Sequence, residues 1–360
     1  MRVAVAHPFF WPEVRRGAER FAHELARGLG ERGHDVRLVT SHRASRSEDV
    51  VDGVEVVRLR RAPGSLTQIG VPHPVGHLPA LVAELRSERP DVVVALMPLD
   101  ALAATAAGLP TVYPYMGIPS ARVFDNRPAL ARLLRLTTRR VAATTALSHA
   151  ASDAFAELLG VAAPVIPAPV DVEAFTPDPA RRASAPTLVC AGAPDEPRKR
   201  IRLLTQAFAL LREELPDARL LLDRPRAPRL AGLLEAMEGV ELRSFDDREA
   251  LAGAYREAWA SVLPSTGEAF GLVLAEALAC GTPGVAHDSG GMPEVLRDGE
   301  RTLGATFTGD APRALADALR AVTNGPPDEA LGRACRARAE AFSRARVAEA
   351  YDALLRDVTR

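Results

Sequence analysis

Apolar residues come in two rhythms that alternate along this chain. VAVAH at 3–7 is a short apolar run ended by Pro8. From Gly17 onward Phe21, Ala22, Leu25, Ala26 and Leu29 recur at the spacing of a helix face, and Gly30 and Gly33 close that helix. VRLVT at 36–40 is the next β-rich run. Strand, helix, strand at this length predicts a βαβ unit, hence a parallel sheet covered on both faces. DVVVAL (91–96), TVYPY (111–115), a helix through ALARLLRLTTRR (129–140) and AATTALS (142–148) continue the alternation.

Four prolines fall in the fifteen residues from Ala163 to Pro177, a density that suits a connection better than a helix. The alternation then restarts with TLVCAGA (187–193), a helix from about Ile201 to Leu215, ARLLL (218–222) and VELRS (240–244). A helix near 248–258, WASVLPS (259–265), a helix from Glu268 to Ala279, PGVAH (283–287), the helical MPEVLRD (292–298) and LGATF (303–307) follow. A last amphipathic helix runs over about 342–357 through Val347, Ala350, Tyr351 and Leu354. Two consecutive α/β domains, each a doubly wound parallel sheet, account for this order.

Composition narrows the class of partner. The 360 residues suit two ordinary domains, and 47% hydrophobic with 25% charged residues is a globular mix. Formal net charge is −1, which removes the electrostatic case for nucleic acid as a partner. Residues 1–168 hold 20 Lys+Arg against 16 Asp+Glu, +4, and the remainder 25 against 30, −5. The first half thus leans toward anionic ligands, or simply carries an arginine-rich solvated surface. Cys190, Cys280 and Cys335 lie far apart in apolar runs, which predicts core residues in a reducing compartment and no metal set. MRVAVAH lacks the apolar stretch of a signal peptide, and no window of about 18 apolar residues could span a bilayer. A cytoplasmic location is expected. Arg132, Arg135, Arg139 and Arg140 share a helical stretch with Leu133, Leu134 and Leu136. That stretch reads either as an ordinary amphipathic helix or as a weak peripheral contact with the inner face of a membrane.

GxGxxG occurs once, at Gly28, Gly30 and Gly33, but these glycines close a helix and precede a strand. A dinucleotide fingerprint must do the reverse, so that pyrophosphate meets a helix N-terminus. The loop between the first strand and first helix is PFFWPEVRRGAER, where Gly17 is either a plain helix-start glycine or an approach point for an anion. The informative stretch is LPSTGEAFGLVLAEALACGTPGVAHDSGGMPE, 263–294. Ser265, Thr266 and Gly267 make a strand-to-helix turn, and Phe270, Gly271 and Leu272 offer backbone amides suited to phosphate. Glu276 could accept two hydrogen bonds from a vicinal diol, as acids do for ribose. Glu268 alone reads as an acid at a helix start, and Arg198-Lys199-Arg200 alone as a solvated basic turn. Gly290-Gly291 opens another βα turn at the same sheet edge.

E-A-F-G-L-V-L-A-E-A-L-A-C-G-T-P followed by G-G-M-P-E resembles the ExxxxxxxE donor motif of family-four retaining GT-B glycosyltransferases. GAERFAHELARGLGERGHDVRLVT, TTALSHAASDAF, VIPAPVDVEAFTP, DEPRKRIRLLTQAFALL and FSRARVAEAYDALL are similar to that family's other segments, so the resemblance covers essentially the whole chain. It implies two Rossmann-like domains facing across a cleft. Residues 1–168 would form the acceptor side, with a closing helix (342–360) packing back on it, and 169–341 the nucleotide-sugar donor domain. It gives Glu276 the ribose hydroxyls, Glu268 the transferred sugar's hydroxyls, and Phe270, Gly271 and Leu272 the diphosphate and sugar through amides. Lys199 would bind the diphosphate. Glu268 and Lys199 are then the catalytic candidates, with Ser265, Gly17, Arg198 and Arg200 beside them as donor contacts.

The chain departs from the family pattern at several points. Gly192 is followed by Ala193 instead of Arg, and Arg198, Arg200 or Arg16 is expected to replace that cation. Arg16-Gly17 stands for paired glycines, Ala168-Pro169-Val170-Asp171 for N-G-V-D, and Met116 for a frequent histidine. DRPRAP replaces the glycine-rich turn after ARLLL. The expected activity is metal-independent transfer, with retention, from a nucleoside diphosphate sugar to a lipid, glycan or small natural product, with no cofactor. A catalytically impaired relative that binds nucleotide or a partner is the second reading.

Overall fold

The computed structural model describes residues 1–14, 16–66 and 73–360, with the backbone alone at Ser65, Leu66 and His73. Two compact units divide the chain: Met1–Pro169 together with Arg344–Arg360, and Val170–Ser343.

The first unit is built on a seven-stranded sheet, in the order Ser47–Val51, Val54–Arg60, Asp35–His42, Arg2–Ala6, Val92–Ala95, Thr111–Tyr115, Ala143–Ala146. Every neighbouring pair is parallel except the edge hairpin of Ser47–Val51 with Val54–Arg60. That hairpin turns on Asp52 and Gly53, both with positive φ (47° and 82°), the signature of an Asp-Gly hairpin turn. The central strands are apolar on both faces because helices cover both.

The Gly17–Glu31 helix carries the last helix, Arg344–Val358. Phe21 meets Tyr351 edge to face at 6.1 Å, and Arg344 Nη1 donates to Glu24 Oε2 at 2.9 Å in a buried pair. The GxGxxG stretch has its explanation here. A Cβ on Gly28 would stand 2.8 Å from the Cβ of Ala348, so this glycine lets two helices touch, while Gly33 (φ 83°) lies just past the helix end.

The second unit holds six parallel strands, in the order Val240–Arg243, Arg219–Asp223, Thr187–Cys190, Ala260–Leu263, Gly284–His287, Gly304–Phe307. Leu188, Leu220, Leu222 and Val262 pack beneath Leu204, Phe208, Leu211, Leu315 and Leu319 from the Ile201–Arg212 and Pro312–Val322 helices. Strand order reverses between Thr187–Cys190 and Ala260–Leu263. In such sheets the crevice for ligands opens at the carboxyl ends of the strands flanking the reversal.

Gly304 is held at φ 127°, and a Cβ there would fall 1.9 Å from the Gly284 carbonyl oxygen of the neighbouring strand. Gly304→Ala therefore forces the edge pair apart. We expect a loss of about 2 kcal/mol or more of unfolding free energy, the scale of strained backbone plus a steric clash, measured by denaturant titration.

Candidate active site

The two segments leaving the strands at the reversal carry the candidate residues. After Thr187–Cys190 the chain passes Gly192 and enters a single tight turn, Pro197–Lys199. Arg200 is left-handed (φ 53°), and the Ile201–Arg212 helix starts from it. After Ala260–Leu263 the chain runs through Ser265, Thr266 and Gly267 toward the Leu272–Ala279 helix.

These segments meet at one oxygen. Lys199 Nζ and Arg198 Nη1 both donate to Glu268 Oε1, each at 2.7 Å. Burial alone would push the Glu268 carboxyl up, but the charges and hydrogen bonds of Lys199 and Arg198 outweigh it and hold the group below the usual carboxylate range. A carboxyl whose pKa is depressed by folding stabilises the protein above its unfolded pKa, and that contribution is lost as pH falls through the folded value. The Glu268 carboxylate is therefore charged throughout the neutral range. Lys199 lies against Gly192, where an added Cβ would meet the lysine Cδ at 3.4 Å and Cε at 3.5 Å.

Lys199 is also the only lysine in the chain; the other 44 of the 45 basic residues are arginine. A sequence that uses arginine everywhere else keeps a compact, non-planar cation at this position. The two cations differ in shape, hydration and donor geometry, so they are not interchangeable.

The helix expected from Glu268 begins instead at Leu272. Gly267 (φ 72°) and Gly271 (φ 102°) are both left-handed, so residues 268–271 form a loop. Glu268 is thus a loop residue leaning back on Lys199, and its side chain does not complement a helix dipole. Glu276 stands just past the helix's first turn. The Phe270 ring is buried edge to face on Phe342 at 5.0 Å. Gly271 is required sterically as well as by its φ: a Cβ would meet Leu274 Cδ1 and Met292 Cγ at 3.3 Å. Leu272 opens the helix, so its amide belongs to the first turn, where backbone N–H groups lack helical acceptors. The Gly291 amide donates to the Glu268 carbonyl at 2.9 Å, which ties the glycine pair to this loop.

Glu276 is 3% exposed, and Tyr255 Oη donates to its Oε2 at 3.4 Å. Ser265 is fully buried, and its Oγ has no hydrogen-bond partner among the described residues. Arg200 differs from its two neighbours. Its guanidinium donates to the carbonyls of Pro264 and Gly309 at 3.1 Å each and pairs with Asp310, bracing two loops together. Ala193 supplies no cation, and Arg198 is the extra one that reaches Glu268 beside Lys199. Gly17 belongs to the first unit, at the start of its helix, and a Cβ there would meet nothing within 4 Å. Arg15, in the same loop, lies outside the described residues.

Sequence reasoning passed over three polar residues, two in this unit and one in the first. Tyr255 reaches Glu276 from the Arg248–Glu257 helix, and nothing in a helical tyrosine announces that contact. His287 ends its strand with Nδ1 at 2.9 Å from Ser289 Oγ, and burial, with the Arg200 charge, lowers its pKa. In the first unit His7 Nε2 lies 3.2 Å from Glu19 Oε1, both buried, just after the Arg2–Ala6 strand. A histidine ending a strand was the available signal for the last two.

Known proteins share this architecture and sequence. The chain matches the Glycosyltransferase Family 4 profile over residues 15–174 and the Glycosyl transferases group 1 profile over 185–324. A phosphatidyl-myo-inositol mannosyltransferase of Propionibacterium freudenreichii subsp. shermanii is 30% identical, over 92% of this chain and 89% of that protein. The chain belongs to the family-four, group 1 glycosyltransferases. Among solved structures, this glycosyltransferase is similar to sucrose-phosphate synthase of Thermosynechococcus elongatus, with a TM-score of 0.84 at 20% identity over 99% and 98% of the two chains. It is also similar to Anabaena HepE, solved with UDP and glucose, at 0.75 and 19% over 99% and 100%. Its fold is therefore GT-B. No helix among the described residues is long and apolar enough to cross a membrane.

Proposed function

We propose that this glycosyltransferase takes its sugar from a nucleoside diphosphate donor bound by the second unit. The sugar passes to an acceptor hydroxyl with retention at the anomeric carbon, and no divalent cation takes part. The observation that carries the reading is the convergence of Lys199 Nζ and Arg198 Nη1, at 2.7 Å each, on Glu268 Oε1 beside the start of the Leu272–Ala279 helix.

Two fixed cations with the amides of Phe270, Gly271 and Leu272 make a site for a diphosphate. In this reading the bond from the anomeric carbon to the diphosphate oxygen breaks while the acceptor oxygen bonds to the same face. The acceptor proton passes to the departing oxygen. Lys199 and Arg198 stabilise the charge that develops there, which is the role electrostatic groups fill most effectively. Glu268 orients the sugar's hydroxyls, and no second carboxyl has to protonate the leaving group as in a hydrolase. Glu276 accepts the ribose hydroxyls, Ser265 Oγ is a buried donor for the ligand, and Arg200 positions the loops.

The relative from Propionibacterium is named for phosphatidyl-myo-inositol and a mannosyl group, so an inositol phosphate is the first acceptor class to assay. The Anabaena protein was solved in complex with UDP, which makes UDP the first nucleotide to titrate. One observation favours a catalytically impaired, nucleotide-binding protein instead: Ala193 supplies no cation where the family pattern has arginine. Donor turnover decides between them, because an impaired protein binds nucleoside diphosphate without consuming the sugar nucleotide.

Two expected results follow. Glu276→Gln weakens nucleoside diphosphate binding by about 1–3 kcal/mol, the scale for charge-assisted hydrogen bonds, read by calorimetry. Turnover in excess EDTA stays within a factor of about two of the untreated rate, because lysine, arginine and helix amides carry the neutralising role. Loss of activity in EDTA with rescue by Mg²⁺ or Mn²⁺ contradicts the metal-free reading.

A further inference from the structure

The two cations that meet Glu268 are already matched by carboxylates. Arg198 donates to Glu196 Oε2 at 2.9 Å as well as to Glu268, which Lys199 also bonds. Two positive and two negative side chains leave that cluster formally neutral, and Ala193, exposed in the same segment, adds no charge. A nucleoside diphosphate is a polyanion, so a site that takes one gains from a further cation placed to pair with it.

Arg226 stands where such a cation is needed. It lies between the Arg219–Asp223 strand and the Pro228–Glu235 helix. That strand is the parallel neighbour of Thr187–Cys190, with Cys190 opposite Leu222, so the loops that follow the two strands leave one edge of the sheet side by side. Asp195 fastens them together: its Oδ2 accepts the Arg226 amide at 2.7 Å and its Oδ1 the Ala227 amide at 3.1 Å. Asp195 is itself held close to Ala193 and Lys199, because the Glu196 amide donates to the Ala193 carbonyl at 3.1 Å and the Lys199 amide to the Glu196 carbonyl at 2.9 Å. Pro225 and Pro228 bracket the clamped pair and fix φ on either side of it. The backbone is thus anchored, but the Arg226 side chain is exposed and has no partner among the described residues. Other arginines at this edge are tied down, Arg224 to Glu235 at 2.8 Å and Arg243 to Glu257 at 2.6 Å.

We propose, on the donor reading given above, that Arg226 binds the diphosphate of the nucleotide and supplies the cation that Ala193 does not. A guanidinium suits this task because its donor fork matches two phosphate oxygens at once. Asp195 is a positioning residue here: it spends both oxygens on backbone amides, so it orients the loop without neutralising the guanidinium. The positive charge has moved from one loop to the loop clamped beside it. Arg229, beyond the clamp in the first turn of the helix, is also exposed and unpaired among the described residues, and it represents a plain surface charge.

The test uses the full chain, with UDP, ADP and GDP titrated in turn by calorimetry and the tightest carried forward. Inorganic pyrophosphate serves as a competitor without a base. Arg226→Gln should weaken the nucleotide about tenfold, the scale of one charge-assisted pair, and pyrophosphate by a similar factor. The difference from the parent protein should narrow in high salt. Arg229→Gln should stay within about twofold of the parent, as surface changes usually do. Adding Ala193→Arg to Arg226→Gln should bring affinity back to within about threefold of the parent, a recovery that no purely structural role of Arg226 predicts. The thermal midpoint of Arg226→Gln should match the parent's, because the side chain holds no partner. Unchanged affinity in Arg226→Gln, a loss for the nucleotide with none for pyrophosphate, an equal loss in Arg229→Gln, or a double variant as weak as the single one overturns the proposal. Lys199→Gln tells the two failures apart. If it weakens the nucleotide while Arg226→Gln does not, the donor site stands and Arg226 lies outside it; if neither does, the donor reading falls as well.

Discussion

Lys199→Arg is expected to lower turnover about a hundredfold while the fold and the formal charge stay the same, the cost of losing one placed stabiliser of developing charge. The lysine chain is confined between Gly192, within 3.4 Å of where a Cβ would stand, and the Glu268 oxygen it bonds at 2.7 Å. A guanidinium is planar, wider, and aims its donors in a fixed fork. It cannot present one compact charge at the same point, and Arg198 already fills the neighbouring approach to Oε1. A cationic patch serving only to hold Glu268 would tolerate the exchange, because arginine pairs with carboxylates at least as well as lysine. Initial rates at saturating donor, with a thermal melt as the fold control, separate these cases. A variant within about threefold of wild type removes Lys199 from the chemistry.

Glu268→Gln is expected to move two quantities in opposite directions. Turnover should fall about a hundredfold, because the group proposed to orient the transferred sugar loses its charge. Nucleoside diphosphate affinity should rise about threefold to tenfold, equivalent to about 0.7–1.4 kcal/mol. The Glu268 carboxylate occupies the donors assigned to the proposed diphosphate, and its depressed pKa keeps it ionised at neutral pH. Binding the diphosphate must displace or share those bonds, and a neutral amide competes less. Glu276→Gln, just past the first turn of the helix that follows, should instead weaken the same ligand. Calorimetry with one nucleoside diphosphate on both variants therefore gives two signs. If both variants weaken binding, Glu268 does not compete with the diphosphate for Lys199 and Arg198.

Much of the fold was legible because its signals are local and repeated. VAVAH, VRLVT, TLVCAGA, ARLLL and LGATF all contain strands, and periodic apolar positions located the Gly17–Glu31, Ile201–Arg212 and Arg344–Val358 helices. Proline obscured others. Pro228–Glu235 and Pro312–Val322 begin with it, and a proline in a first turn, where no amide is needed, reads as a loop when seen in sequence alone. The Ser47–Arg60 hairpin was missed although its Asp52-Gly53 turn is a strong local signal.

The site was legible to a lesser depth. The resemblance to a known family nominated Glu268, Glu276 and Lys199, but did not show that Glu268 faces Lys199. That contact joins residues 69 apart in sequence and depends on two left-handed glycines that stop the helix from forming early. Nor could composition distinguish three adjacent basic residues. Arg198 and Lys199 reach Glu268, while Arg200 binds carbonyls, a division set by the left-handed turn at Arg200.

A single lysine gives the central claim an unusually direct test. Protein grown with lysine labelled with ¹³C at Cε has one labelled side chain, Lys199, because the sequence contains no other lysine. Its resonance can be followed while UDP, and then other nucleoside diphosphates, are titrated in, with calorimetry on the same sample. A diphosphate bound at this cluster should shift the Lys199 signal along a curve that saturates with the calorimetric affinity. Nucleotide binding by calorimetry with an unmoved Lys199 signal would place the donor elsewhere and contradict the account.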